Sequence, residues 1–323
     1  MKDGRGLTRL ASFALMLAGA GLFVALVRHA GLAALWQVLA PVGWGIVPTV
    51  LSHAIPLVVD VIGWRLLFTD KAPAIIALVR ARWVCEAINN LLPVAQIGGE
   101  FARFRLARIA GANFGDAAAS VLADLTLGTI AQLVFAAAGI TMMATFYDSS
   151  LTLLWSVLPL ACGVLAFYVL QRRIFASLVR NVGRLFPSLA AVDGADDLNR
   201  RLTHLYDDRR RVARASALRL LGWLAGVVEI ALSLYFLGQG GGWPQAFVLE
   251  SVTQIVRSTA FPVPAALGIQ EAGFVVVAQL IGVDAAVGLA IALIRRARDL
   301  GFGLPALADY WWTEVRRARD RSS

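Results

Sequence analysis

Apolar residues fall along this chain in blocks of about twenty, each long enough as a helix rising about 1.5 Å per residue to cross a hydrocarbon core of about 30 Å. The blocks lie near residues 8–28, 43–68, 115–146, 150–171, 216–238 and 284–312, and each predicts a full transmembrane helix. Residues 172–215 carry ten Arg and five Asp with few long apolar runs, which predicts a polar, partly helical loop. Two stretches do not read as plain spans. Residues 75–112 are moderately apolar up to Asn89, Asn90 and Pro93, then pass through Gly98, Gly99 and Glu100 into a basic helix with Arg103, Arg105 and Arg108. Residues 244–283 break at Pro262 and Pro264, continue through Gly268, Gln270 and Glu271, and end in the apolar run 273–282. Each predicts a helical hairpin dipping into the membrane. Its break should face protein or a wet cavity, because amides left unpaired in lipid are costly.

The two breaks share a pattern. Pro93-Val-Ala-Gln-Ile-Gly-Gly-Glu100 and Pro264-Ala-Ala-Leu-Gly-Ile-Gln-Glu271 both place a glutamate seven residues after a proline, with glycine between. Each half of the chain also reads span, span, broken hairpin, span, and repeating a unit with three crossings inverts the second copy. The expected fold is therefore an all-α polytopic membrane protein of about six full spans plus two broken re-entrant helical hairpins. It forms one membrane domain, 1–323, built as an inverted repeat of halves 8–146 and 150–312. Paired interrupted segments at corresponding places in inverted halves point to a transport site near the midplane.

Composition agrees with this solvent. Of 323 residues 59% are hydrophobic and 16% charged, and the mean hydropathy is +0.70, far from a soluble domain. The net charge of +9 would suggest nucleic acid in a soluble protein. Here the arginines sit at the ends of apolar blocks, where they act as topology signals, so no nucleic-acid partner is expected. The connections 29–42, 147–149 and 239–243 contain no Lys or Arg. Both termini and the loop 172–215 are therefore placed on the cytoplasmic side. The apolar amino-terminal run, long and without a clear cleavage site, is expected to be an uncleaved first span. Cys85 and Cys162 lack metal-ligand spacing. The chain contains no P-loop, nucleophile elbow or zinc motif, so it is expected to be no enzyme and to hold no cofactor or metal.

At the breaks the sequence is similar to a known family. Asn90-Leu-Leu-Pro-Val-Ala-Gln-Ile-Gly-Gly-Glu-Phe-Ala-Arg103 and Phe261-Pro-Val-Pro-Ala-Ala-Leu-Gly-Ile-Gln-Glu-Ala272 resemble the transmembrane domain of lysylphosphatidylglycerol synthases and their stand-alone flippase-like relatives. Within that group the chain most resembles the hopanoid-biosynthesis-associated membrane proteins. The resemblance implies a polytopic protein of the bacterial inner membrane that handles a lipid. In the full-length synthases a separate soluble domain transfers the aminoacyl group, so with the last predicted span about ten residues before Ser323 no such transfer is expected here. Pro264-Ala-Ala-Leu-Gly has alanines where the family commonly has glycines.

Ionisable groups at bilayer depth ask for a partner or a purpose. Glu100 and Glu271, at matching positions, either line a central cavity, where they bind a cationic headgroup or carry protons, or cap the helices they begin. Arg103 is a candidate for holding a lipid phosphate in a two-pronged contact, or an interfacial anchor as Arg105 and Arg108 are expected to be. Arg257 is expected to contact phosphate or to pair with a carboxylate such as Glu271. Arg296, about twelve residues into the last span, is expected to face inward; were that span to end near 294, it would belong to a cytoplasmic cluster with Arg295, Arg298 and Asp299. Asn89, Asn90, Gln96, Gln254 and Gln270 are expected first to satisfy the broken backbone and second to touch substrate. Asp60, Asp124 and Glu229 act as glue between helices or as a relay, Asp60 with His53 or Arg65. His29, His53 and His204 stand alone and read as structural or exposed. These residues point to a lipid transporter or flippase for a phospholipid or hopanoid-type lipid. The rivals are an intramembrane lipid-modifying enzyme using Glu100 or Glu271, or a noncatalytic subunit docking lipid-biosynthesis enzymes through 172–215.

Overall fold

The computed structural model describes residues 32–92, 98–147, 194–240, 242–260 and 263–320, with isolated positions at 21, 24, 25, 28, 169 and 173. The expected spans 8–28 and 150–171, the first part of the polar loop and the break 93–97 with Gln96 lie outside these. The described residues form helices and contain no strand. In chain order these are α1 (Leu32–Leu39), a 3-10 turn (Ala40–Gly45), α2 (Ile46–Ser52), α3 (Ala54–Arg65), α4 (Ile75–Leu91), α5 (Gly98–Ile109) and α6 (Phe114–Phe146). Then come α7 (Gly194–Asp207), α8 (Arg209–Phe236), α9 (Trp243–Thr259), a 3-10 turn (Pro264–Ala266), α10 (Ile269–Leu280) and α11 (Ala285–Asp320).

Among the described residues three segments are long and apolar enough to cross a membrane: Ala40–Arg65, Phe114–Phe146 and Arg209–Phe236. They coincide with three predicted spans. Large aromatics mark both ends. Trp44, Tyr235 and Trp243 are exposed near one end, and Trp311 and Trp312 near the other, as expected of rings at the two water interfaces. The protein is thus a multi-pass membrane protein. The final predicted span is part of one helix, α11, which runs unbroken past Arg295, Arg296, Arg298 and Asp299, and three of these four are at most 4% exposed. The charges face inward rather than ending the span.

Both expected hairpin stretches show two helical arms, those of the first separated by residues 93–97, which lie outside the described ones. In the first, Leu92 turns to an extended backbone (φ −106°, ψ 148°) directly before Pro93, where the proline ring excludes helical geometry. Arms α4 and α5 then pack so closely that a Cβ on Gly99 would lie 2.2 Å from the Cys85 carbonyl oxygen. In the second, Ala265 (φ 54°) and Ala266 (φ 48°) occupy the left-handed region, at about 1–3 kcal/mol each for a residue with a Cβ. The alanines noted in the sequence therefore sit where glycine would relax the chain. Arg296 holds the turn by donating to the Ala265 carbonyl at 2.9 Å. Return arms α5 and α10 have 12 residues each, about 18 Å of helix, too short to cross unaided.

Packing divides into two apolar cores. One joins α3, α4, α5, α6 and α7 around Val61, Trp64, Leu78, Val84, Leu122 and Leu205. The other joins α8, α9, α10 and α11 with the far end of α6, around Phe135, Ile230, Leu249, Phe274 and Ile291. Basic residues gather at one end. Arg201 of α7 pairs with Asp70 at 2.8 Å, and Asp116 at the start of α6 accepts from the Thr69 amide at 2.7 Å. Arg105 of α5 meets Glu314 of α11 at 2.5 Å.

Two substitutions test this packing. Gly99→Val is expected to cost about 1–3 kcal/mol of stability through overpacking against α4, whereas Gly301→Ala, whose nearest neighbour would be Val50 at 3.9 Å, is expected to be silent. Ala266→Gly is expected to raise stability by about 1 kcal/mol. Thermal unfolding in one detergent measures all three.

Candidate functional site

Polar side chains on otherwise apolar helices share one face each and converge on the seam between the two cores. From α4 come Arg82, Glu86, Asn89 and Asn90, and from α9 come Glu250, Gln254, Arg257 and Ser258. Both sets follow the spacing i, i+4, i+7, i+8, which places four residues on one stripe of a helix. Helix α3 adds Asp60, α8 adds Arg219 and Glu229, and α11 adds Arg295 and Arg298. Together they line two adjoining chambers of about 180 and 210 Å³ that share Arg82, Glu86, Asn90, Arg219, Gln254 and Arg257 in their walls. Each has room for several waters or a phosphate-sized group. Glycines let the charges in, since a Cβ on Gly222 would meet Asp60 Oδ1 at 2.4 Å and one on Gly128 would meet Arg219 Nη2 at 2.3 Å.

The chambers sit at mid-span. Gly222 and Trp223 in their wall are the fourteenth and fifteenth of the 28 residues of α8, and Gly128, Thr129 and Gln132 straddle the midpoint of α6. Polar surface there is tolerable because it faces a wet interior rather than lipid. The wall charges are paired. Arg82 contacts Asp60 (2.8 Å), Glu86 (3.1 Å) and Asp124 (3.4 Å), and Arg219 contacts Asp60 (2.6 Å) and Asp124 (3.5 Å). On the opposite side, Arg295 joins Glu250 (2.5 Å) and Glu229 (3.4 Å), and Arg298 joins Glu229 (2.7 Å) and Asp299 (2.6 Å).

Arg257 is the exception among the described wall arginines. It has no carboxylate within 4.0 Å, and its Nη2 donates to the neutral Asn90 Oδ1 at 2.6 Å. Of the predicted site residues, Asn89, Asn90, Glu100, Gln254 and Arg257 line this space. Arg103 does not. It is fully buried behind the wall, 2.7 Å from Glu100 and 2.5 Å from Asp124, with its guanidinium 4.8 Å above the Trp64 ring. A phosphate would have to displace both carboxylates to reach it.

Glu271, Gln270 and Arg296 belong to the second break instead. Glu271 Oε2 accepts the Gly268 amide at 2.8 Å while Oε1 receives Arg296 Nε at 2.6 Å, so capping is the geometry shown for this glutamate. Arg257 and Glu271 form no pair. Asn89 satisfies the first break, accepting the Gly99 amide at 2.9 Å. Gln270 does not serve its break as expected: both of its side-chain polar atoms are buried without a hydrogen-bond partner. Asp60 pairs with Arg82 and Arg219 in place of His53 or Arg65. His53 is not alone, since it lies between Glu86 and Glu229.

The family model for the lysylphosphatidylglycerol synthase TM region matches residues 9–306. The chain belongs to this family. No curated protein and no solved structure matches it. Membership in the lysylphosphatidylglycerol synthase TM family makes it a membrane protein of lipid synthesis or flipping.

Sequence reading missed Arg82, Glu86, Arg219 and Glu250 as wall residues. The i, i+4, i+7, i+8 stripe on α4 and again on α9 is the signal that marks most of them.

Burial of these pairs sets a sharp contrast in stability. Arg103→Leu leaves buried Glu100 without a cation and takes from Asp124 its nearest one, and is expected to cost about 3–5 kcal/mol, whereas Arg105→Ala, at a pair whose arginine is 49% exposed, is expected to cost less than about 1 kcal/mol. Denaturant unfolding in detergent reads both.

Proposed function

We infer that this protein is a lipid carrier, and not an enzyme, which shelters a polar headgroup in the mid-span chambers while the tails stay in the bilayer. The observation that supports it is a charged cavity at the middle of α6 and α8, walled by the first arms of both broken hairpins. A cavity so placed gives a headgroup a polar path through hydrocarbon. Arg257, without a carboxylate partner and facing both chambers, is the group best suited to meet a headgroup anion through its forked donors. The lipid is a phospholipid or a hopanoid-type lipid.

Alternating exposure would come from two inverted halves rocking against each other. Several features support the repeat. The polar stripes of α4 and α9 have the same spacing, and each half ties the glutamate of its break to the following long helix. Glu100 reaches Asp124 of α6 through Arg103, and Glu271 reaches Arg296 of α11 directly. The end that gathers Arg105, Arg201 and the start of α8 is the cytoplasmic one by the positive-inside rule. On this reading the protein belongs to the bacterial inner membrane and has both termini in the cytoplasm.

Vesicles carrying the purified protein and leaflet-labelled lipids test the carrier. Movement of at least one phospholipid, polyprenyl or hopanoid lipid between leaflets is expected, and failure across the whole panel would overturn the reading. Arg257→Gln is expected to slow transport of an anionic lipid about tenfold or more, the worth of a charge-assisted hydrogen bond, with folded yield unchanged.

A further inference from the structure

Two ion-pair networks meet at one imidazole. In the first, four carboxylates (Asp60, Glu86, Glu100, Asp124) are joined to three guanidiniums (Arg82, Arg103, Arg219) at 2.5–3.5 Å. In the second, three carboxylates (Glu229, Glu250, Asp299) are joined to two guanidiniums (Arg295, Arg298) at 2.5–3.4 Å. Each network therefore holds one carboxylate more than it has guanidiniums. Arg257 offsets the second through Asn90, which accepts from Arg257 at 2.6 Å and donates to Asp299 at 3.3 Å. No such arginine serves the first among the described residues.

His53 lies between the two. Its Nε2 is 3.1 Å from Glu86 Oε2 and its Nδ1 is 3.7 Å from Glu229 Oε2, and the side chain is 16% exposed in the wall of a chamber. It sits at the junction of α2 and α3, with its ring edge-on to Phe302 of α11 at 5.4 Å. The charged groups around it are Glu86 of α4, backed by Arg82, and Glu229 of α8, backed by Arg295 and Arg298 of α11. Its own helix contributes Asp60, already held by Arg82 and Arg219.

A neutral imidazole has one N–H and no charge to offer either carboxylate; the imidazolium carries an N–H on both ring nitrogens, so it donates to Glu86 at 3.1 Å and forms an ion pair with Glu229 at 3.7 Å. It also supplies the positive charge that the first network lacks, and excess charge is expensive at membrane depth. We propose that His53 is a proton-binding site of the cavity, taking up one proton that clasps the α2–α3 junction to Glu86 and Glu229 and balances the buried charge. The step needs no co-reactant: a ring nitrogen gains a proton and the imidazole goes from neutral to singly positive. Resting on the carrier reading above, a consequence follows for transport. An anionic headgroup adds negative charge to this wall, so its binding and proton uptake at His53 favour each other by the same factor.

Two measurements test this. Nitrogen-15 histidine spectra of the full chain in nanodiscs, recorded from pH 8 to 5 and assigned with His53→Gln, are expected to show the His53 ring passing from neutral to charged. A ring that keeps one protonation state across that range overturns the proposal. If His53→Gln fails to fold, His29→Gln and His204→Gln assign the same signal by elimination. In the second measurement, fluorescent phosphatidylglycerol binds the protein in phosphatidylcholine vesicles. Affinity is expected to tighten at least about fivefold from pH 8 to 5 in the native chain and less than about twofold in His53→Gln. Equal pH responses in the two proteins overturn the coupling to headgroup binding. A titrating His53 in a chain that binds and moves no lipid overturns the carrier reading and leaves the proton site standing.

Discussion

Charge inside a hydrocarbon layer must be matched within contact distance, and that constraint organises this protein. Seven helices bring arginines or carboxylates to the seam between two apolar cores, and nearly every one ends in an ion pair of 2.5–3.5 Å. Removing a buried charge from water is costly enough that pairing recovers the loss without adding much net stability. The return on such an arrangement is positional. Asp60 fixes α3 against α4 and α8, Asp124 fixes α6 against α4, α5 and α8, and Glu229 fixes α8 against α11. Packing of apolar faces alone would leave these helices freer to slide, because lipid tails compete equally for an apolar face.

The backbone breaks follow from the same accounting. Each opens amides at membrane depth, and each is closed by a side chain at the start of its return arm or just before the break: Asn89 on the Gly99 amide, Glu271 on the Gly268 amide. The second break keeps two alanines in left-handed geometry, held by Arg296 from α11. Strain of that kind persists where surrounding structure over-determines it, and it sits beside the site rather than in a surface loop.

Against this background Arg257 and His53 stand apart. One is a wall arginine facing a neutral partner, and the other is a histidine with a carboxylate on either side. On the reading proposed above they are the two places where the cavity's charge is open to something that arrives from outside, an anion at one and a proton at the other. Arg257 joins the first arms of the two hairpins, and His53 lies between the first arm α4 and the long helix α8.

Much of this was legible in the chain. The apolar blocks located the spans at 43–68, 115–146 and 216–238, and Pro93, Pro264 and the glycines after them located both breaks, because run length and proline geometry act within a few residues of sequence. Asn89, Asn90, Glu100, Gln254 and Arg257 were placed at the site for the same local reason: a polar residue beside a break at membrane depth has few other places to go. Which charge meets which was not legible. Arg103 reads as a phosphate ligand until Asp124 is seen beneath it, Arg257 as a partner for Glu271 until Arg296 takes that carboxylate, and His53 as solitary until α4 and α8 close on it. Those pairings join residues from 21 to 176 positions apart. They depend on how helices cross, and so only the folded arrangement could decide them.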